Sequence, residues 1–217
     1  MQNYAAQLNA VLSPAETKLF KRLSSANKIQ DFLDEMPINF EYKGDTIYSP
    51  RQVVAQGKAH CIEGALLAAA VLAYHGQRPL LLDLQTLPYD DDHVLALFKE
   101  HGYWGAISKT NHAILRWRDP VYKTVRELAM SFFHEYYMDD GVKTLRAFSR
   151  PFDLRRYAPG DWVVSEAPLE RIAEELDDSP HFPILQGITK KSLRKASSAE
   201  CKILDVVEWE SEKKKLL

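Results

Sequence analysis

From about His60 to Tyr74 the chain reads HCIEGALLAAAVLAY, a stretch built almost entirely of Ala, Leu, Ile and Val past its first turn. A helix that is apolar all round has no face to give to water, so the rest of the chain must cover most of its circumference. His75-Gly76 marks its end, since glycine accepts the left-handed conformation that closes a helix. The apolar run from Ala65 to Tyr74 is about half of the ~20 residues a bilayer span requires, so a buried central helix is expected and a membrane anchor is not. With 217 residues, 46% of them apolar, the chain can supply that cover from one core. The expectation is a single domain over 1–217, with N-terminal helices to about residue 56 and a C-terminal extension from about residue 151.

Lys and Arg number 28 against 30 Asp and Glu, a formal net charge of -2, so nucleic acid is not an expected partner. The opening MQNYAAQLNAVLSPAE has no basic stretch leading into an apolar one and does not read as a secretory signal. Cys61 and Cys201 lie far apart with no Cys-x-x-Cys pairing, which argues against a disulfide framework or a zinc knot and for a reducing, cytoplasmic setting. The basic residues of Lys190 to Lys195 and Lys213 to Lys215 read as solvated ends.

Local signals place the other elements. Ser13-Pro14-Ala15-Glu16 and Ser49-Pro50-Arg51-Gln52 each combine a capping Ser, a Pro suited to the first helical position and an acceptor that closes a capping box. A helix after Ser25 carries Ile29, Phe32 and Leu33 on one face and ends before Pro37, and the helix after Ser49 ends near Gly57. Pro79 to Leu84 reads as a buried strand. His93 to Phe98 and Tyr103 to Ser108 read as a hairpin around a four-residue loop, Lys99 to Gly102, with a third strand over His112 to Trp117. Val121, Val125, Leu128, Ala129, Phe132, Phe133 and Tyr136 recur at helical spacing. Further on, Trp162 to Val164 and Ile203 to Trp209 read as strands and Leu169 to Leu176 as a helix, for an α+β whole.

Cys61 falls where a loop becomes the buried helix. Unpaired amides and the positive end of the helix dipole favour a thiolate there, and the same amides can receive an oxyanion. The plain alternative is a small core residue. A nucleophilic thiol also needs a base, and His93 offers one as the first residue of a strand after Asp90-Asp91-Asp92, with a solvated strand-end histidine as its plain alternative. If Lys99 to Gly102 form the loop, counting back along both strands sets Ser108 across from His93.

On these residues the stretch from Gly57 to Ser108 resembles the transglutaminase-like superfamily of Cys-His-Asp enzymes. Gly57 through Cys61 with Ala65-Leu66-Leu67 is similar to the family's nucleophile helix, and His93 to its strand-start histidine. Gly102-Tyr103-Trp104-Gly105-Ala106-Ile107-Ser108 is similar to its Gly-x-Trp-x-x-x-Asp strand, with Ser108 at the position of the orienting Asp. Lys58-Ala59-His60-Cys61 also departs from the commoner Gly-x-Cys. The resemblance implies a papain-like core, an antiparallel sheet against a buried nucleophile helix, and acyl transfer without a cofactor on an amide of a peptide or protein. In it Cys61 attacks, His93 moves the proton and Ser108 orients His93. Hydrolysis is expected over cross-linking, and a catalytically silent binding module is the alternative, because a hydroxyl cannot stabilise imidazolium as a carboxylate does.

Other residues compete for supporting roles. Gln56 is a candidate oxyanion donor, against a plain surface loop residue. Asn111 and Asp119 are alternative orienters and His112 an alternative base. His60 adjoins the nucleophile with a side chain expected to diverge from it. A metal site on Asp92, His93 and His112 lacks the spacing that lets ligands converge, so none is expected. No phosphate loop, dinucleotide fingerprint or Gly-x-Ser-x-Gly elbow is present.

Overall fold

The helix starts are where local chemistry places them. In the computed structural model, which describes every residue except 1, 43, 186, 188–191 and 212–217, α1 (Gln2–Val11) is followed by α2 (Pro14–Arg22), with a complete capping box between Ser13 and Glu16. Ser25 caps α3 (Ala26–Asp34), and Ser49 with Gln52 boxes α4 (Pro50–Gln56). Gly57, at φ 65°, closes α4 in the left-handed region, a conformation that costs glycine nothing. Four residues later the chain enters α5 (Cys61–Tyr74), in which every residue from Ile62 to Ala73 is buried.

An antiparallel sheet of seven strands supplies the cover that α5 requires. Its members are β1 (Leu80–Gln85), β2 (His93–Glu100), β3 (Tyr103–Ile107), β4 (Arg118–Tyr122), β5 (Ala147–Ser149), β6 (Phe152–Asp153) and β7 (His181–Pro183), in the order β4-β3-β2-β1-β5-β7 with β6 also on β1. One face meets α5 and the N-terminal helices through Leu81, Val94, Ala96, Phe98 and Ile107. The other packs Leu82, Leu84, Leu95 and Leu97 against Leu128, Phe132 and Phe133 around α6 (Val125–Ser131). The short α7 (Pro159–Trp162), α8 (Glu170–Asp177) and the short α9 (Ser198–Cys201) complete the described helices. The class is α+β, with alternating strand residues serving two cores. The segment after residue 151 is less an extension than a part of this sheet, since β6 pairs with β1 and β7 with β5.

Several expected elements differ. The β2–β3 turn is the two residues His101 and Gly102, at φ 50° and 88°, because two positive φ values match the twist of a tight hairpin and let Lys99 and Glu100 stay paired. His112 to Trp117 forms no strand; only His112 bridges, to Val207, and β4 begins at Arg118. Val121 lies in β4 and is 64% exposed, and α6 starts later, where Thr124 and Glu127 form a capping box. Trp162 ends the one-turn α7 begun by Pro159. Lys202–Asp205 is a 3-10 turn where a strand was expected. Lys190, Lys191 and the Lys213 to Lys215 tail lie outside the described residues. Among the described residues no helix is long and apolar enough to cross a membrane.

Candidate active site

Cys61 is the first residue of α5, and the preceding loop is pinned at both edges: Ala59 N–H donates to Pro37 O at 3.1 Å and Asn39 N–H to Ala59 O at 3.1 Å. Its thiol reaches a cleft of about 300 Å³ whose walls include His93, Asp91, Asn111, Tyr136 and Leu204. Burial pushes the thiol pKa up, but hydrogen bonding to the imidazoles of His60 and His93, and their charge, pull it down further, to about 5. The helix N-terminus adds the same preference for a thiolate.

His93 opens β2 and is buried. Its Nε2 lies 2.8 Å from Ser108 Oγ, and that hydroxyl donates to Leu115 O at 2.5 Å. A carbonyl only accepts, so the Ser108 hydrogen is committed to Leu115 and Ser108 must accept from His93. Nε2 therefore carries the ring hydrogen of the neutral imidazole, and Nδ1 keeps the lone pair a base needs. The pairing was expected from a register in which Ser108 faces His93 directly. In the observed register Ala96 faces Ile107, so continuing it sets Ser108 opposite Leu95. The slip is two residues, which leaves both side chains on one face of the sheet, and a diagonal neighbour is still within reach.

Ser108 and Leu115 are held in turn. Gln30 of α3 grips the Ser108 backbone from both sides, its Oε1 accepting from Ser108 N–H at 2.9 Å and its Nε2 donating to Ser108 O at 2.8 Å. Leu115 sits at φ 59°, unusual for a branched side chain, with its N–H donated to Glu135 Oε2 at 2.8 Å and Glu135 paired with Arg118 at 2.5 Å. Lys109 passes so close to α5 that a Cβ on Gly64 would lie 2.5 Å from Lys109 Cβ. Its Nζ donates to Leu33 O and Met36 O at 2.9 and 2.5 Å, and burial lowers its pKa. Tyr136 is 3% exposed; burial, and then the charge of Cys61, raise its pKa well above the usual phenol value, so its hydroxyl stays protonated.

His60 is not turned away from the Cys61 thiol, as its place in the sequence suggests: its Nδ1 is 4.0 Å from Cys61 Sγ. The extended backbone of a residue just before a helix, φ -100° and ψ -169°, brings the two side chains together. Glu63, with no solvent exposure, accepts from His60 N–H at 3.0 Å. Glu63 stands at the third helical position after His60, so the acidic half of a capping box was visible in the sequence; the partner gathered beside the sulfur was not. Gln30 and Tyr136 carried no comparable local signal.

The remaining candidates are elsewhere engaged. Gln56, expected as a candidate oxyanion donor, is exposed at the end of α4 and is absent from the cleft wall. Asn111 is on the wall, but its amide donates to Trp209 O at 3.0 Å and accepts from Trp209 N–H at 2.9 Å, so it holds the C-terminal segment and not His93. Asp119 accepts from Trp117 Nε1 at 2.9 Å. His112 is exposed on the wall, and the ring that Ser108 holds is that of His93. Asp92 Oδ1 accepts from Thr86 N–H and Oγ1 at 2.7 and 2.9 Å, and among the described residues no three His, Cys, Asp or Glu converge as metal ligands.

No family model matches this chain, and no curated protein matches it.

Proposed function

We propose that this protein is a thiol-dependent acyl-transfer enzyme of the transglutaminase-like, papain-like type, acting on an amide of a peptide or protein. The observation that carries this is a helix-start thiol sharing a cleft with an imidazole whose far nitrogen is engaged by Ser108 at 2.8 Å. Cys61 thiolate attacks the amide carbonyl, and the developing oxyanion is met by the amides of the first turn of α5. His93, having taken a proton at Nδ1 from solvent through the cleft, gives it to the departing amine as the C–N bond breaks, leaving a thioester. It then takes a proton from water, whose oxygen forms the new C–O bond as the C–S bond breaks. Water is the proposed acceptor in place of a second amine.

A panel of fluorogenic peptide amides, assayed with the intact chain, tests this. Turnover should fall by roughly a hundredfold or more in His93→Gln and vanish in Cys61→Ala, the scale of a lost acid–base or covalent group. No turnover, together with equally slow labelling of Cys61 and Cys201 by iodoacetamide, would leave a binding module in its place.

A further inference from the structure

Two imidazoles act on one sulfur, and they differ in what stands behind them. His93 lines the cleft and, among the described residues, has the neutral Ser108 at its far nitrogen. His60 is not part of the cleft wall, and its Nε2 lies 2.7 Å from Thr46 O and 3.5 Å from both Glu41 Oε1 and Glu63 Oε1. The Thr46 carbonyl fixes the hydrogen on Nε2, so Nδ1, 4.0 Å from Sγ, is the nitrogen open to the thiol.

Glu63 is anchored for this purpose. Its oxygens accept from Thr46 Oγ1 at 2.9 Å, Tyr48 N–H at 3.0 Å and Asn39 Nδ2 at 3.1 Å, besides His60 N–H. A fully buried carboxylate without a cation beside it would be costly, and the ring of His60 is the titratable partner within reach. The other charged or titratable groups around the sulfur are His93 and Tyr136, with Asp90, Asp91, Asp92, His112, Glu135 and Tyr137 on the cleft wall; Glu135 is paired with Arg118, and the Lys109 ammonium points away, to Leu33 O and Met36 O.

We propose that His60, backed by Glu63 and Glu41, is the cation that pairs with the Cys61 thiolate, leaving His93 as the imidazole that exchanges protons with substrate. The Cys61 S–H bond breaks, a bond from hydrogen to His60 Nδ1 forms, and that proton stays behind the sulfur through the cycle. The proton that leaves with the amine is then one His93 has taken from solvent through the cleft, and the water consumed in deacylation returns it. The carboxylate missing at Ser108 is thus supplied behind His60, by Glu63 and Glu41. Consistent with this, burial lowers the His60 pKa but hydrogen bonding to Cys61, the thiolate charge and Glu63 raise it further, to about 9.

This deepens the thiol-dependent reading above, and its test needs no turnover. In a Cys201→Ser background, the pH dependence of Cys61 alkylation by iodoacetamide is compared in the parent, His60→Gln and His93→Gln. The half-maximal pH should rise more in His60→Gln than in His93→Gln, with alkylation at about pH 6 slowed roughly tenfold or more. A rise in His60→Gln no larger than in His93→Gln overturns the proposal. If His60→Gln does not fold, imidazole NMR of the unsubstituted chain decides it: a His60 ring titrating near 9 supports the pair, and a ring neutral at about pH 7 beside an ionised thiol ends it. Should the His60-dependent thiolate be present but no amide be turned over, the proposed function fails and this inference stands.

Discussion

The Nε2 of His93 and the hydroxyl of Ser108 lie 2.8 Å apart, and the same hydroxyl spends its hydrogen on Leu115 O. Ser108 is therefore a pure acceptor toward the ring. Ser108→Ala should release the ring and leave Leu115 O unpaired, lowering kcat on a peptide amide by about ten- to a hundredfold, the equivalent of ~1–3 kcal/mol for a lost buried hydrogen bond. Ser108→Asp should not restore a stronger triad. An oxygen there faces Leu115 O at 2.5 Å, where two acceptors repel, so a lower Tm with no gain in kcat is expected in a thermal melt run beside the assay.

The thiol titrates near 5 and the His60 ring near 9. The thiolate is lost as pH falls through the lower value, and the cation beside it is lost as pH rises through the upper one. Alkylation of Cys61 should therefore stand near its plateau between them and decline below about 5, whereas an ordinary thiol gains rate only toward ~8.5. Mass-spectrometric labelling of both cysteines across that range checks this. A Cys61 profile that rises only near the ordinary value would contradict the ion pair.

Gly64→Ala sets two effects against each other. Helix propensity favours Ala by about 1 kcal/mol. The added Cβ would meet Lys109 Cβ at 2.5 Å, and Lys109 cannot swing aside because its ammonium is tied to Leu33 O and Met36 O. Overpacking of this kind costs roughly 1–3 kcal/mol, so net destabilisation in urea unfolding is expected. Lys109 follows Ser108 directly, so kcat should fall as well.

Asn111→Ala should loosen the mouth of the cleft. Both hydrogen bonds of the Asn111 side chain hold Trp209, and Leu204, from the same segment, lines the wall. Their loss should speed labelling of Cys61 by a bulky maleimide more than by iodoacetamide. An unchanged ratio of the two rates would show that the segment does not restrict entry.

What was legible in the sequence is local. The boxes at Ser13 and Ser49, the uniformly apolar α5 and the left-handed Gly57 depend on residues within a few positions of one another, and α5 could only be a covered helix. The hairpin was legible in kind but not in register. Lys99 and Glu100 are polar in either case, and only the observed positive φ of His101 distinguishes a two-residue turn from a four-residue loop. The span from His112 to Trp117 looked like a strand because it is partly apolar. Its carbonyl at Leu115 is instead drawn to Ser108 and its amide to Glu135, partners 7 and 20 residues away.

By itself, the sequence set a thiol at the start of a helix that must be buried, and a histidine at the start of a strand, because capping and hydrophobic pattern act within one turn or one pleat. Which groups meet around that thiol was decided only by the fold. Glu63 is held by Asn39, Thr46 and Tyr48 from the loop before α4, Gln30 reaches Ser108 across 78 residues, and His60 turns toward Cys61 because its other nitrogen meets Thr46 O. Such contacts join segments whose approach depends on how two cores pack on one sheet, and no short window of residues encodes that packing.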